Sequence, residues 1–270
     1  MHVLEKLRKE VNFGCPVPDC GSPYLTAHHF DPPWNVMKHH NPDGMIALCA
    51  THAGLADGGR WTKEQLRDMK RNPFVTRDKI SEFYDYLRKN VVCIVGNVAY
   101  KVQNVLEING ERVIGFERDA DGYDRLNLLI RNVEGLPILE MKNNFWTGNI
   151  GSLYDLRCSA RGKDLEIVSK DTLTNLKMRF DDQPSDNFRG VLIKAGVSQR
   201  SIDWFLSIIG APDVVPTWSV KGRLQWGNRT LEIRDFEIED ERHNVFGMNL
   251  IVQGRAAFSF SNGSTAIGAA

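Results

Sequence analysis

Residues 15–54 read CPVPDCGSPYLTAHHFDPPWNVMKHHNPDGMIALCATHAG, and they hold three of the chain's five cysteines and five of its seven histidines. Two ligand pairs stand about 30 residues apart, Cys15-x4-Cys20 and Cys49-x2-His52. Short-spaced thiolate and imidazole pairs on two knuckles supply the tetrahedral soft site that zinc prefers, without needing a large core. The spacing therefore predicts one structural zinc on Cys15, Cys20, Cys49 and His52. His52 is taken as the fourth ligand because the segment has no further cysteine. Buried apolar cysteines beside a helix-start histidine are the plainer alternative, and pairing at both ends argues against it.

Between the knuckles lies AHHFDPP, with His28 and His29 side by side. On a strand, neighbouring side chains point to opposite faces. One imidazole is then free to hold a metal while the other faces a substrate; two surface imidazoles are the bland reading. In KHHNPDGMIALC, His39, His40, Asn41 and Asp43 are polar groups on a loop turned by Pro42 and Gly44. Asn41 reads equally well as a turn residue and as a functional one.

Outside this segment the chain divides in texture. Residues 2–12 carry Val3, Leu4, Leu7 and Val11 at helical spacing. WTKEQLRDMKRN opens with Thr62 and Gln65 in a capping-box pattern, and Pro73 is expected to stop that helix. Ile80, Phe83, Tyr84 and Leu87 predict a further helix over 78–89. From residue 91 short apolar or alternating runs are punctuated by Gly, Asn and Asp. INGERV predicts a hairpin with a type I′ turn and SARGKD another turn. QPSDN at 183–187 reads as a polar break. Ile202, Phe205, Leu206 and Ile209 predict a helix ended by Gly210.

The expected fold class is α+β. A small zinc-supported unit at 1–90 precedes a larger, mostly antiparallel β domain at 91–270 with one or two helices. A sub-boundary is expected near 183–190 and a mobile tail at about 261–270. In the β domain Asp119, Asp121 and Asp124 around Gly122 read as a turn rather than a cation site, and Trp146, Trp204, Trp218 and Trp226 as core.

Lys+Arg and Asp+Glu both number 34, so no overall field draws the molecule to nucleic acid, and any such contact must be local. The richest local source is 60–89, where Arg60, Lys63, Arg67 and Lys70 fall at helical intervals within reach of phosphates. A solvated helix face is the alternative. No signal-peptide core or membrane-length apolar run is present, and the odd cysteine count argues against a disulfide framework. The expectation is a cytoplasmic protein without membrane contact.

The joint pattern C-x4-C, HHFDP, HNPDGMIALC, C-x2-H and ADGGRWTKEQL resembles the zinc-containing branch of the HNH endonuclease family over roughly residues 13–72. That resemblance implies a β-hairpin followed by a helix, the ββα-metal unit, and a metal-dependent endonuclease acting on DNA, with RNA as a further substrate. It casts His29 as general base, His28 as ligand of a catalytic Mg²⁺ or Mn²⁺, and Asn41 as the loop residue that aims the base. The family's asparagine position is Gly44 here, and its last metal-ligand position is Ala53. Three readings stay open. His52 serves the catalytic cation and zinc takes another ligand; His52 holds zinc while His28, His40 or Asp57 serve the cation; or catalysis is lost and a zinc-supported binding module remains. The β domain is expected to position or regulate the nuclease, through a ligand or homo-oligomer formation. By analogy with nucleases carrying an extra domain, antiphage or antiplasmid defence is the expected setting.

Overall fold

The computed structural model describes all residues except 1–2, 77, 96–97, 102, 160, 211–212, 227–228, 234–248, 252–255, 262–263 and 270. Within them the chain is α+β, with mostly antiparallel sheets and few helices. Among the described residues no helix is long and apolar enough to cross a membrane.

The N-terminal elements are α1 (Val3–Glu10), β1 (Leu25–His29), β2 (Met45–Cys49), α2 (Ala50–Asp57) and α3 (Lys63–Arg71). β1 and β2 form an antiparallel hairpin in which His28 faces Ile46 and His29 faces Met45 across the ladder. Every residue of β2 is buried, because α1, α2 and α3 all pack against it. A strand covered on both faces needs the unbroken apolar run that Met45–Leu48 provides. Helix α2 follows β2 directly, so hairpin and helix form one ββα unit. Its core includes Leu7, Val11, Phe30, Ile46, Leu48 and Leu66. Helix α3 starts on the expected capping box: Gln65 N donates to Thr62 Oγ1 at 3.2 Å and Thr62 N to Gln65 Oε1 at 2.9 Å.

Residues 79–83 correct the helix expected there. They form strand β3 (Lys79–Phe83), paired antiparallel with a strand more than 60 residues later. Burial alternates: Ile80 and then Tyr84 and Tyr86 lie in the core, while Lys79, Ser81 and Asp85 face solvent. A two-residue period satisfies a sheet, and the same apolar residues happen to fit helical spacing. The segment expected to close the N-terminal unit thus belongs to the β domain.

The β domain continues with β4 (Val92–Val95), β5 (Val98–Tyr100), β6 (Asn104–Ile108), β7 (Glu111–Arg118), β8 (Asp124–Arg131), β9 (Pro137–Lys142) and β10 (Phe145–Asn149). Strands β11 (Leu153–Cys158), β12 (Asp164–Ser169) and β13 (Asn175–Pro184) precede α4 (Ser185–Lys194) and α5 (Gln199–Ile209). The chain then forms β14 (Val214–Trp226), β15 (Arg229–Ile233), β16 (Asn249–Ile251), β17 (Ala256–Ser261) and β18 (Ser264–Ala269).

Among the described residues these strands build two sheets. One runs β18-β17-β6-β7-β8-β9-β10-β3; the other runs β11-β12-β13-β14-β4-β5-β16, with β15 also on β14. They pack face to face: Phe116 of the first sheet lies 5.6 Å from Trp218 and 6.4 Å from Phe180 of the second, ring to ring. Asn109 and Gly110 both take positive φ in the β6–β7 turn, as its type I′ geometry requires. The Asp119 carboxylate accepts from the backbone of Asp121 and Tyr123, so that acidic cluster is a turn.

Three further expectations change. The polar break at 183–187 is the end of β13 and the start of α4, whose Phe188 and Leu192 pack with α5 over the outer face of β4 and β14. Trp204 is 50% exposed, on the side of α5 opposite its buried Ile202, Phe205, Leu206 and Ile209, whereas Trp146 and Trp218 are fully buried. Trp226 lies outside the described side chains. Residues 264–269, expected to be mobile, pair with β17 as β18.

The two regions meet along α1 and through Phe13 and Tyr24, which pack with the sandwich core. Arg8 grips Asp155 of β11 in a bidentate pair (Nε–Oδ1 3.0 Å, Nη2–Oδ2 2.5 Å), with both residues buried. Beside it Lys9 Nζ sits 3.3 Å over the Tyr154 ring.

Candidate metal centre

Cys15 and Cys20 sit on a knuckle in which Gly21 N donates to Cys15 O and Cys20 N to Val17 O, with positive φ at Asp19 and Gly21. Cys49 ends β2 and His52 lies in the first turn of α2, so the hairpin–helix junction carries the second pair. The ligand atoms of Cys15, Cys20, Cys49 and His52 all fall within 4.8 Å of one another. His52 Nδ1 is 3.3 Å from both Cys15 Sγ and Cys49 Sγ, and Cys20 Sγ is 3.9 Å from Cys49 Sγ. An ion about 2.3 Å from sulfur and about 2.0 Å from nitrogen in a tetrahedron spaces its ligands roughly 3.5–3.8 Å apart. The cluster therefore fits one zinc-sized ion, with His52 ligating through Nδ1. Burial pushes the Cys15 thiol up to about 12 and raises that of Cys20, each further raised by neighbouring thiols. A metal entering this site displaces protons from those thiols. Among the described residues no other group of three or more metal-ligating side chains converges in this way. All five cysteines are free of disulfides.

Next to the centre opens a cleft of about 930 Å³, lined by His28 and His29 of β1, Trp34 of the loop after β1, Ala53 and Asp57 of α2, and Lys63 of α3. His28 is buried, and its Nδ1 lies 3.3 Å from Asp57 Oδ1, whose side chain is largely exposed. Ala53 and Asp57 are one helical turn apart on the same face of α2. The carboxylate thus reaches the cleft beside Ala53. Burial holds the His28 imidazole below its ordinary value, partly opposed by Asp57; burial also lowers that of His29, opposed by its hydrogen bond to the His39 carbonyl and helped by the neighbouring His39 and His40 imidazoles.

His29 Nε2 lies 2.9 Å from the carbonyl of His39. A carbonyl only accepts, so Nε2 carries the proton and a neutral ring keeps Nδ1 as its acceptor. His39 is itself fixed: its Nδ1 accepts from Asn41 N and its Nε2 donates to Pro32 O. The residue that aims His29 is therefore His39, through its backbone. In the sequence His39 is only a polar loop group, and no local signal marks a carbonyl as a partner. Asn41 instead accepts from Asp43 N and caps a short 3-10 turn, which is its turn-residue role. His40 lies beside Trp34 and His29, with ring centroids 5.6 and 6.1 Å away. At Gly44 a Cβ would sit 1.9 Å from Asp31 O, so no side chain fits there. The bare backbone instead accepts from Phe30 N and Asp31 N and closes the hairpin.

The cationic helix is less free than its sequence suggests. Lys63 and Arg67 both pair with Asp31, and Lys70 turns inward to Glu10 and the carbonyl of Pro42. Arg60 is exposed and stacks loosely over Trp61. Arg77, counted in the same basic stretch, lies outside the described residues. No family model matches the chain, and no curated protein and no solved structure matches it either.

Proposed function

We propose that this chain is a metal-dependent endonuclease of the HNH type, hydrolysing phosphodiester bonds of DNA, with the β domain holding the nuclease unit in place. One observation carries the reading: His28, paired with Asp57 at 3.3 Å, and His29, held by a carbonyl, are neighbours on β1 and line one cleft beside the four-ligand centre. In this reading Cys15, Cys20, Cys49 and His52 hold a structural zinc that fixes α2 against the hairpin. His28 and Asp57 hold a divalent cation, Mg²⁺ or Mn²⁺, which when bound supplies charge stabilisation to a phosphate oxygen. His29 takes the proton of the attacking water at Nδ1. Arg60, which is exposed, meets a flanking phosphate, a contact that positions the strand without reading sequence, while Lys63 stays on Asp31 at the cleft wall. Arg67 and Lys70 serve the fold through Asp31 and Glu10. Defence against phage or plasmids is the setting that accompanies this reading.

Supercoiled plasmid incubated with the zinc-loaded protein and Mg²⁺ or Mn²⁺ is expected to be nicked, and His29→Ala to lower the rate by about 10²- to 10⁴-fold, the span of a general base. Asp57→Asn is expected to shift the Mn²⁺ requirement upward. No cleavage above the His29→Ala control would end the enzyme reading. The alternative, a zinc-supported module that binds nucleic acid or a partner without cutting, is favoured by Ala53 standing unliganded in the cleft. It predicts retained binding that is indifferent to His29→Ala.

A further inference from the structure

The hydrolytic scheme leaves the lip of the cleft unused. Trp34 is 42% exposed there, and beyond it Val36 and Met37 are 72% and 53% exposed. Trp34 stands outside the core of the ββα unit, and among the described residues no hydrogen bond engages its indole N–H. Its ring is nevertheless not adrift. It lies 4.7 Å from the His29 ring, tilted by 48°, with His40 5.6 Å away on the same loop.

An aromatic ring gains most by covering its faces, and an exposed one at a functional cleft offers a flat, apolar platform. Nucleobases are the flat partners that nucleic acid supplies. Within an intact duplex each base is covered by its neighbours, so only an unpaired or displaced base has a face to give. A ring in contact with the candidate general base places such a base next to the phosphate under attack. Val36 and Met37 have no use against a phosphate backbone, whereas apolar side chains of this kind act as wedges where stacking is interrupted. Arg60, exposed beside the cleft, suits the strand's charge.

Resting on the nuclease reading, we propose that Trp34 is a stacking platform for an unpaired nucleobase flanking the scissile phosphate. The substrate class is accordingly single-stranded or locally unpaired nucleic acid, in preference to intact duplex. Trp34 sets this specificity and takes no part in the bond-breaking step.

The test uses the full zinc-loaded chain and end-labelled oligonucleotides in three forms: single strand, perfect duplex, and duplex with a central unpaired bulge. Cleavage is followed with Mn²⁺, and binding by anisotropy with the His29→Ala variant. The wild type is expected to favour the single strand and the bulge. Trp34→Ala is expected to lose about 5- to 150-fold on those two in cleavage and in binding, the equivalent of one base–aromatic stack of about 1–3 kcal/mol. It should change little on the duplex, and Trp34→Phe should recover most of the loss. Unchanged zinc content and melting temperature show that the variants are folded. Equal rates on all three forms, or a uniform effect of Trp34→Ala, overturn the platform and leave the nuclease reading standing. Selective binding that Trp34→Ala abolishes, with no cleavage, upholds the platform and ends the nuclease reading. Neither binding nor cleavage removes both.

Discussion

Residues 3–71 enclose a core of small extent, with Leu7, Val11, Phe30, Ile46, Leu48 and Leu66 around one fully buried strand. The sandwich encloses Trp146, Trp218, Phe116, Phe180 and a continuous apolar layer between two broad sheets. Roughly 70 residues rarely bury enough apolar surface to hold a fold by themselves, and small scaffolds add a metal or a disulfide. The N-terminal unit has no disulfide, but its knuckle, strand end and helix start converge on Cys15, Cys20, Cys49 and His52. The sandwich has no such cluster among its described residues. The four-ligand cluster and the cleft that holds His28, His29 and Asp57 both lie in the smaller region.

The largest expected effect separates the two regions outright. Structural zinc contributes on the order of 10–16 kcal/mol to small zinc-dependent folds. Removing it by chelation, or disabling the site with Cys49→Ala, is expected to abolish amide protection in β1, β2 and α2 while β7, β8 and β13 keep theirs. Elemental analysis should give one zinc per chain beforehand. Hydrogen exchange that shows both regions melting together, or neither changing, breaks the comparison.

A second effect tests how firmly the regions are joined. The Arg8–Asp155 pair is bidentate and buried. Removing one partner of a buried pair costs about 3–5 kcal/mol, less for the loss of Arg8 because Arg157 Nη2 stands 3.9 Å from the Asp155 carboxylate. Asp155→Leu alone should therefore lower stability by about that amount and Arg8→Met by less, while the double variant loses much less than either. Denaturant unfolding of the three variants checks this. Additive single effects would mean that the two charges do not act as a pair.

The same contrast explains what the sequence made legible. The four-residue Cys/His cluster was readable because its chemistry is local: two short spacings bring four potential ligand atoms to two turns. The Asn109-Gly110 hairpin and the Thr62–Gln65 capping box were readable for the same reason. Strand β3 was not, because Ile80, Phe83, Tyr84 and Leu87 satisfy helical spacing and the partner that decides otherwise, β10, lies far along the chain. Helix α4 hid behind Ser185, Asp186 and Asn187, which read as a break but are also residues that start helices. In the site, His28, His29 and Asp57 were named from sequence and do line one cleft. The inward turn of Lys70 and the capture of Lys63 and Arg67 by Asp31 depend on partners that no spacing announces. Nor does sequence show that the carbonyl of His39 aims His29.

The smallest expected effect asks whether acid separates the regions as chelation does. Metal binding at thiolates and an imidazole competes with protons, so the N-terminal unit should release its ion on mild acidification. The sandwich should hold until its carboxylates protonate. Asp182 of β13 accepts from Arg88 Nε at 2.9 Å and Nη2 at 2.6 Å, and from the Tyr86 hydroxyl at 2.6 Å. The Arg88 hydrogen bonds, helped by Tyr86, hold its carboxyl below the usual range against the opposing effect of burial. A carboxyl depressed in the folded state adds stability that is complete above its unfolded value of about 3.9 and is lost as pH falls through the lower folded value. Asp182→Asn should therefore flatten the pH dependence of sandwich unfolding below about pH 4, and leave untouched any earlier loss of order in β1 and β2. Amide protection in β7, β8 and β13 for the sandwich, and zinc release for the N-terminal unit, follow the two transitions separately. Coincident midpoints in the wild type would show that the sandwich borrows its acid resistance from the metal-bound unit, reversing the dependence argued here.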